Sequence, residues 1–294
     1  MTLLSYQIFQ TVVEQGSFQK AAQVMNLTPS AISHSITTME KELGYPLFNR
    51  NKNGITLTSY GENLQPYILT VLNSDTKLQQ AISEFNGLTH GSVKIGTFSS
   101  VCTGFIPDII SGFSKKHPNI EIKIYQGTYD DVYTWLKTGV VDIGFLSDSS
   151  CKELTLNPLY EDELLVITPK TYRSTHKGYI DISELDGEKF ISQRESTDAD
   201  IQEIFQKYKL NVRTSCHVVD DLSQIAMVAS GLGICIMPQL VMQNIPYDVN
   251  TYKLRPSEHR TIGICILNED LMAPAVKSMY RHVTEYFQLI PKQK

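Results

Sequence analysis

The stretch "NLTPSAISHSITTMEKELG", residues 26–44, decides how the start of this chain folds. Thr28 is a good helix N-cap, and Pro29 suits the first helical position, where its missing N–H costs nothing. The stretch therefore predicts a helix that begins near residue 29 and ends at Gly44. Apolar side chains at helical spacing predict one buried stripe, formed by Ile32, Ile36, Met39 and Leu43. The opposite face is small and rich in hydroxyl groups, which indicates that something large lies against it.

The flanking segments extend this helix into a recognisable motif. Residues 3–15 are apolar at helical spacing, and Ser17 is an N-cap for a second helix in "FQKAAQVM". After the third helix, "YPLFNRNKNGITLTSYG" alternates apolar residues around an Asn-Lys-Asn-Gly turn, which predicts a β-hairpin. Two helices, a short turn and a hairpin are typical of a winged helix-turn-helix over residues 1–58. We place the helix-turn-helix itself at about Phe18 to Thr37.

A long helical pattern follows at residues 60–86, with Pro66 in its first turns. Its apolar residues recur in a heptad-like seam, formed by Leu64, Ile68, Val71, Leu72, Leu78 and Ile82. Such a helix has no globular core of its own, so we expect a partner helix to bury the seam. Residues 59–88 are therefore predicted to be a linker helix for dimerisation.

From residue 92 the pattern changes to strands that alternate with helices. Segments such as "SVKIGTF", "IEIKIYQG" and "VVDIGFLS" predict a β-α-β-α-β unit, and a second such series begins at "ELLVITP". Two units predict an α/β effector-type domain over residues 89–294, with two lobes and a cleft between them. We assign residues 92–164 and 268–294 to lobe I and residues 165–267 to lobe II.

Composition narrows the class of protein. The 294 residues are 41% hydrophobic, which supports a sizeable core, and the net charge is -5. Residues 1–58 nevertheless carry four basic and three acidic side chains, so any contact with DNA depends on a few placed groups and on dimerisation. The first residues lack the pattern of a secretory signal, and we expect no membrane span. Five cysteines without CxxC spacing predict reduced thiols in a cytoplasmic protein, without zinc or disulfides.

Taken together, these motifs resemble the LysR-type transcriptional regulators along the full length of the chain. The resemblance lies in the block from Phe9 to Gly61 and in "GSVKIGTF", "KTGVVDIGF" and "GLGICIMP". It implies a winged helix-turn-helix, a linker-helix dimer and a two-lobed effector domain similar to periplasmic solute-binding proteins (type 2). It also implies a homodimer or homotetramer that binds double-stranded DNA near a promoter, and contact with RNA polymerase if the protein is an activator.

The recognition helix departs from the family in one place. The family often has Gln-Pro near its start and Arg after the inner serine, whereas this chain has Pro29-Ser30 and His34. We therefore transfer no base preference. A recognition helix enters the major groove by its N-terminal end, where small hydroxyl residues permit close approach. The predicted DNA-binding residues are Ser17, Thr28, Pro29, Ser30, Ser33 and His34, with Arg50 and Lys52 of the wing on phosphate.

The predicted effector site lies at the ends of strands. Ser99, Ser100 and Thr103 open a helix whose free N–H groups suit a carboxylate or other anion. The remaining candidates follow other strands or end them: Thr128, Ser192, Gln193, Arg194 and Met237. N-capping alone would also explain the hydroxyl residues, and a surface ion pair would explain Arg194. Cys102 lies at the predicted cleft mouth, but nothing in the sequence lowers its pKa, so redox sensing is disfavoured.

Two other classes of function are weighed against a ligand-responsive DNA-binding regulator. A solute-binding or transport protein would leave residues 1–58 unexplained. An enzyme would need a base, a nucleophile and an orienting group in register, and none is evident, although Asp130 and Asp131 stay open as candidates. We predict a regulator that is not an enzyme, has no cofactor and binds a small-molecule effector between its lobes. The effector, the target genes and the choice between activation and repression stay open.

Overall fold

A computed structural model describes residues 1–51, 54–85, 91–193, 198–243, 245–269 and 272–290. The chain forms two compact units. One comprises residues 1–88 with 138–140, and the other comprises residues 89–137 with 141–294. None of the described helices combines the length and the apolar character that a membrane span needs.

The first unit contains four helices and one hairpin within its described residues. Its elements are α1 (Leu3–Gln15), α2 (Phe18–Met25), α3 (Pro29–Leu43), β1 (Phe48–Asn51), β2 (Gly54–Leu57) and α4 (Ser59–Phe85). The predicted caps are confirmed, because the Thr28 hydroxyl accepts the Ala31 N–H and the Ser17 hydroxyl accepts the Lys20 N–H. Gly16 ends α1 with a φ of 59°, a left-handed conformation that glycine adopts without strain. The two strands pair antiparallel, as the hairpin pattern predicts.

The core of this unit lies where α1, α2 and α3 cross. The predicted stripe of α3 is confirmed at Ile32, Ile36 and Met39, which are fully buried. Ala21 and Ala22 of α2 are also buried and belong to the same cluster. Their small side chains allow the helices to approach closely, so the apolar face of α3 points inward and its hydroxyl-rich face points outward.

The seam of α4 differs from the prediction that a partner helix buries all of it. Ile68 is buried in the core of the first unit, and Leu64 and Leu72 pack against that core. The prediction was wrong for these three residues, since the winged helix-turn-helix itself covers them. Val71, Leu78 and Ile82 stay exposed.

The second unit is an α/β domain. Its helices are α5 (Ser99–Gly104), α6 (Ile106–Lys116), α7 (Tyr129–Lys137), α8 (Ala199–Tyr208), α9 (Asp221–Ala229) and α10 (Pro274–Leu289). Its strands are β3 (Gly91–Thr97), β4 (Ile120–Gln126), β5 (Ile143–Ser147), β6 (Leu156–Pro169), β7 (Tyr179–Asp181), β8 (Lys189–Gln193), β9 (Arg213–Val218), β10 (Cys235–Pro238), β11 (Val249–Arg255) and β12 (His259–Cys265). The main sheet has the order β4-β3-β5-β12-β6-β11-β7, with β10 paired to β6.

The first lobe contains the predicted β-α-β-α-β unit. Strand β3 pairs parallel with both β4 and β5, which requires the crossovers that contain α5, α6 and α7. The boundary assigned to lobe II needs one correction. Strand β12 pairs with β5, so residues 259–265 belong to the sheet of the first lobe.

The second lobe is less regular than a repeat of the first. Strands β8 and β9 pair parallel as a separate two-stranded sheet, while β10 and β11 pair antiparallel with β6. Strands β7 and β11 were not anticipated from the sequence. A core cluster that includes Phe190, Ile204 and Ile225 is buried within this lobe.

Candidate functional site

The exposed start of α3 is the first candidate site. Thr28, Pro29, Ser30 and His34 are exposed and Ser33 is half-buried, so the structure places all five on or near one outward face. The hydroxyl oxygens of Thr28 and Ser30 are 3.0 Å apart, within hydrogen-bond distance. The face is polar and carries no bulky side chain before His34, which suits close approach to a nucleic-acid backbone or base edge.

Two hydrogen-bonded links hold the hairpin against the helices. The Ile55 N–H donates to the carbonyl oxygen of Gly16 over 3.1 Å, at the turn between α1 and α2. The Glu40 carboxylate accepts the N–H groups of Leu47 at 2.7 Å and Phe48 at 3.3 Å. These hydrogen bonds therefore hold the wing and the recognition helix in a fixed relative geometry, as a preorganised binding surface requires.

The wing brings one predicted cation to the second helix. The guanidinium carbon of Arg50 lies 4.8 Å from the centroid of the Phe18 ring, and Arg50 is exposed. This cation–π contact orients Arg50 beside the start of α2, where Ser17 is half-buried as its N-cap. Lys52, the other predicted wing contact, lies outside the described residues.

The second candidate site is a cavity inside the second unit, between its two lobes. The cavity is open to solvent, and the empty space within it and at its mouth amounts to about 690 Å³. Its wall comes from the starts of α5, α7, α8 and α9, the ends of β8 and β10, and one residue of β12. Strand ends and helix starts meet here because the parallel strands of each lobe end at the cleft.

Six of the eight predicted effector residues line this cavity. They are Ser99, Ser100, Thr128, Ser192, Gln193 and Met237. Thr103 is exposed and lies outside the lining, since its hydroxyl donates back to the carbonyl oxygens of Ser99 and Ser100 at 3.1 and 3.3 Å. Arg194 lies outside the described residues.

A buried arginine dominates the polar part of the cavity wall. The sequence analysis did not predict it as a site residue. Arg260 of β12 is 5% exposed, and Asp162 on β6 is fully buried. The Nε and one terminal nitrogen of Arg260 donate to Asp162 Oδ2 at 3.1 and 2.7 Å. The same terminal nitrogen donates to the Ser100 hydroxyl at 2.8 Å, and the other donates to the Tyr129 hydroxyl at 2.9 Å. Burial alone would lower the pKa of Arg260, but the charges of Asp162 and Asp200 and the hydrogen bond to Asp162 raise it above its ordinary value.

Asp200 joins the second lobe to the first. It lies at the start of α8, and its carboxylate accepts the hydroxyls of Tyr129 at 2.8 Å and Ser149 at 2.6 Å, together with that of Ser147. The Arg260 guanidinium is 3.9 Å from the same carboxylate. Burial raises the pKa of Tyr129 well above its ordinary value, so this residue is a neutral hydrogen-bond donor. The network crosses the cleft and holds the lobes in the conformation seen here.

Other acidic groups line the cavity at α9. The Asp220 carboxylate accepts the N–H and the hydroxyl of Ser223 at 2.9 and 2.7 Å, and it caps the helix. Asp221 accepts a hydrogen bond of 2.6 Å from the Gln193 amide. Burial raises the pKa of Asp221, although the Gln193 hydrogen bond opposes that shift.

The geometry gives little support to a redox-active thiol or to a metal site. Burial raises the pKa of the Cys102 thiol, which disfavours a reactive thiolate. Within the described part of the chain, one group could hold a metal ion, formed by His176, Asp181 and Glu184. Glu184 already accepts the Asp181 N–H at 3.0 Å and the Thr175 hydroxyl, so its carboxylate serves a structural turn.

The two carboxylates that were candidates for an enzyme site, Asp130 and Asp131, both form structural contacts. Asp130 forms an exposed ion pair of 2.8 Å with Lys152. Asp131 accepts the N–H and the hydroxyl of Thr128 at 2.8 and 2.7 Å. Both groups therefore have structural partners at the start of α7.

Comparison with known proteins finds a family match for each of the two units. The family described as "Bacterial regulatory helix-turn-helix protein, lysR family" matches residues 3–62, and "LysR substrate binding domain" matches residues 86–288. The chain belongs to the LysR family of transcriptional regulators. It is a DNA-binding regulator controlled by an effector that its C-terminal domain binds, and the family is not enzymatic.

Individual relatives cover almost the whole chain. It is 29% identical over 290 residues to the uncharacterized HTH-type transcriptional regulator YvbU of Bacillus subtilis, covering 98% of this chain and 99% of that protein. Full-length CbnR complexed with its target DNA has the same fold, with a TM-score of 0.68 at 16% identity, covering 97% of this chain and 99% of CbnR. The effector binding domain of QuiR in complex with shikimate has a TM-score of 0.61 at 21% identity, covering 68% and 98%.

Proposed function

We propose that this regulator binds an interrupted inverted repeat near the promoter it controls. The start of α3 would lie in the major groove and Arg50 on a phosphate. The single observation that carries the proposal is the split of α3 into a buried apolar face and an exposed hydroxyl-rich face with His34. The proposed contacts are Ser17, Thr28, Pro29, Ser30, Ser33, His34, Arg50 and Lys52.

The division of labour along the chain belongs to the same proposal. Residues 1–58 bind DNA, residues 59–88 form the dimerising linker helix, and residues 89–294 bind the effector. The protein acts in the cytoplasm because its partner is DNA. As an activator it would also contact RNA polymerase.

Dimerisation is supported by the outer face of α4. Tyr67 is 72% exposed and Leu78 is 57% exposed, and Val71 and Ile82 are also exposed. At about 100° per residue, these four side chains fall within about 60° of one another around the helix. A second copy of the helix would cover this apolar stripe, and a tetramer would pair two such dimers. Two-fold symmetry sets two recognition helices about 34 Å apart, one turn of DNA.

Effector binding is proposed at the cavity between the lobes. The residues that line it are Ser99, Ser100, Thr128, Ser192, Gln193 and Met237. Arg194, outside the described residues, stays a candidate, whereas Thr103 lies outside the lining and its hydroxyl donates back to α5. The mixed polar and apolar lining is typical of small-molecule sites. Binding there would shift the lobes and so the spacing of the DNA-reading heads, within the limit set by the effector's differential affinity for the two states.

The test is a fluorescence-anisotropy titration with DNA from upstream of this gene, with a scrambled duplex as control, at two salt concentrations. Tight binding to the upstream fragment alone supports the proposal. The variant Arg50→Ala should weaken binding to every sequence and reduce the salt slope by about one. Lys115→Ala removes the same charge from the other unit and should leave DNA affinity unchanged. The absence of binding even at low salt would contradict the proposal that this protein binds DNA.

A further inference from the structure

Three of the four helix starts around the cavity, those of α7, α8 and α9, already carry the protein's own carboxylates. Asp131 occupies the start of α7 by accepting the N–H and hydroxyl of Thr128. Asp220 caps α9, and Asp200 lies in the first turn of α8. A helix N-terminus attracts an anion because of its partial positive charge. At these three helices that charge is compensated before any ligand arrives.

The charges of the described lining point the same way. Four carboxylates line the cavity, those of Asp198, Asp200, Asp220 and Asp221, against the single guanidinium of Arg260. That guanidinium is already paired with Asp162 at 2.7 Å. An anionic ligand would therefore meet four carboxylates, and Arg260 could bind it only in competition with its buried partner Asp162.

Burial affects the carboxyl groups of this region. Asp221 receives a neutral amide from Gln193 as its hydrogen-bond partner, and burial raises the pKa of its carboxyl. Burial also raises the pKa of Glu203 on α8, and Asp200 and Asp148 raise it further. A positive charge beside Asp221 would favour the ionised form of its carboxyl.

Apolar side chains form the rest of the wall. Phe98, Phe190, Ile201 and Ile236 line the cavity and are buried. Phe98 packs edge-on against Tyr129, with ring centroids 4.8 Å apart. This surface suits a hydrocarbon or aromatic body of a ligand whose polar head lies elsewhere.

We infer that the effector carries a cationic group, a protonated amine or a guanidinium, which binds Asp221 and Asp220 while its apolar body lies against Phe98, Phe190 and Ile236. The inference rests on the proposed effector site and deepens it. It replaces the expectation of a carboxylate at Ser99 and Ser100. Asp221 is the specificity-determining residue, because it is the less exposed of the pair and its hydrogen-bond partner is uncharged.

The experiment compares ligands that differ only in the charge of the head group. One set is 2-phenylethylamine, 2-phenylethanol and 3-phenylpropanoate, and a second is hexylamine, hexanol and heptanoate. Binding to the full chain is followed by the fluorescence of Trp135, the single tryptophan, which packs beside Gly127 in the cavity wall. We expect an amine to bind about tenfold or more tightly than its matched carboxylate, with the alcohol between them.

Variants identify the responsible carboxylate. Asp221→Asn should reduce amine affinity about tenfold and change alcohol affinity little, and Asp221→Glu should retain the preference for the amine. Asp248→Asn removes an exposed carboxylate outside the lining and serves as the matched control. Circular dichroism of each variant confirms that it is folded.

Preferential or equal binding of the carboxylates, absence of amine binding in both sets, or equal losses in Asp221→Asn and Asp248→Asn would each overturn the inference. DNA anisotropy in the same samples separates this failure from that of the regulator. If carboxylates alter DNA binding, the regulator stands and the cationic effector falls. If the chain binds no DNA, the proposed function falls, while the tryptophan titration still reports the ligand preference.

Discussion

Replacing Arg260 by methionine should destabilise the second unit strongly. The side chain is 5% exposed and Asp162 is fully buried, so the variant leaves a carboxylate inside the protein without its cation. Four hydrogen bonds from the guanidinium disappear, two of them to Asp162 Oδ2. Breaking a buried ion pair in this way costs about 3–5 kcal/mol. For a unit of this size, that corresponds to a fall in Tm of about 6–20 °C.

The assay is thermal and urea unfolding followed by Trp135 fluorescence, which reports on the unit that contains Arg260. The matched control is Arg213→Met, at an exposed arginine of β9, which should change the unfolding free energy by less than about 0.5 kcal/mol. The double variant R260M/D162N should recover about 1 kcal/mol or more relative to R260M, because it removes the stranded charge while the amide oxygen still accepts the Leu240 N–H.

Two results would refute this reasoning. If R260M were no less stable than the Arg213→Met control, the ion pair would not support the fold. If adding D162N to R260M lowered stability further, the cost would not come from an uncompensated carboxylate.

Three further predictions concern other parts of the molecule. Gly61→Ala should destabilise the first unit by about 1–3 kcal/mol in urea unfolding, because a Cβ there would collide with the carbonyl oxygen of Leu47; an unchanged midpoint would contradict this. Burial lowers the pKa of His282, so the unfolded chain binds the proton more readily, and stability should fall as pH drops below about 6.5; His282→Leu should show a weaker pH dependence between pH 7.5 and 5. Leu78→Asp should shift the protein toward monomer in analytical ultracentrifugation, since the side chain is 57% exposed on the stripe of α4; an unaltered mass would exclude that stripe as the interface.

The first unit could be read from its sequence because its signals are local. Thr28, Pro29 and Gly44 mark the ends of α3 within the helix itself, and the spacing of Ile32 and Ile36 marks its buried face. The same locality explains the error at α4. A heptad-like seam shows which side of a helix is apolar, but which neighbour covers it depends on tertiary packing, and Ile68 packs into the core of its own unit.

The hydrogen-bond network around Arg260 in the cavity could not be predicted from local sequence signals. Arg260 lies in strand β12, and its hydrogen-bond partners Asp162, Tyr129 and Ser100 come from three distant segments of the chain. In a linear sequence, an arginine near the start of a strand is most simply an exposed residue. The hydroxyl residues at strand ends were found because topology alone brings them to the cleft. The sequence did not distinguish Thr103 from these residues. Thr103 lies one turn further along α5, where its hydroxyl donates back to the helix.

Strand β6 has a consequence for how the second unit unfolds. Its residues 156–163 pair with β12 in the first lobe, and residues 164–169 pair with β10 and β11 in the second. Neither lobe can release its part of this strand without exposing backbone groups at the edge of the other. We therefore expect the two lobes to melt in a single transition, with the amides near Glu163 among the slowest to exchange with deuterium. Local destabilisation in one lobe is then shared by both, however far it lies from the cleft.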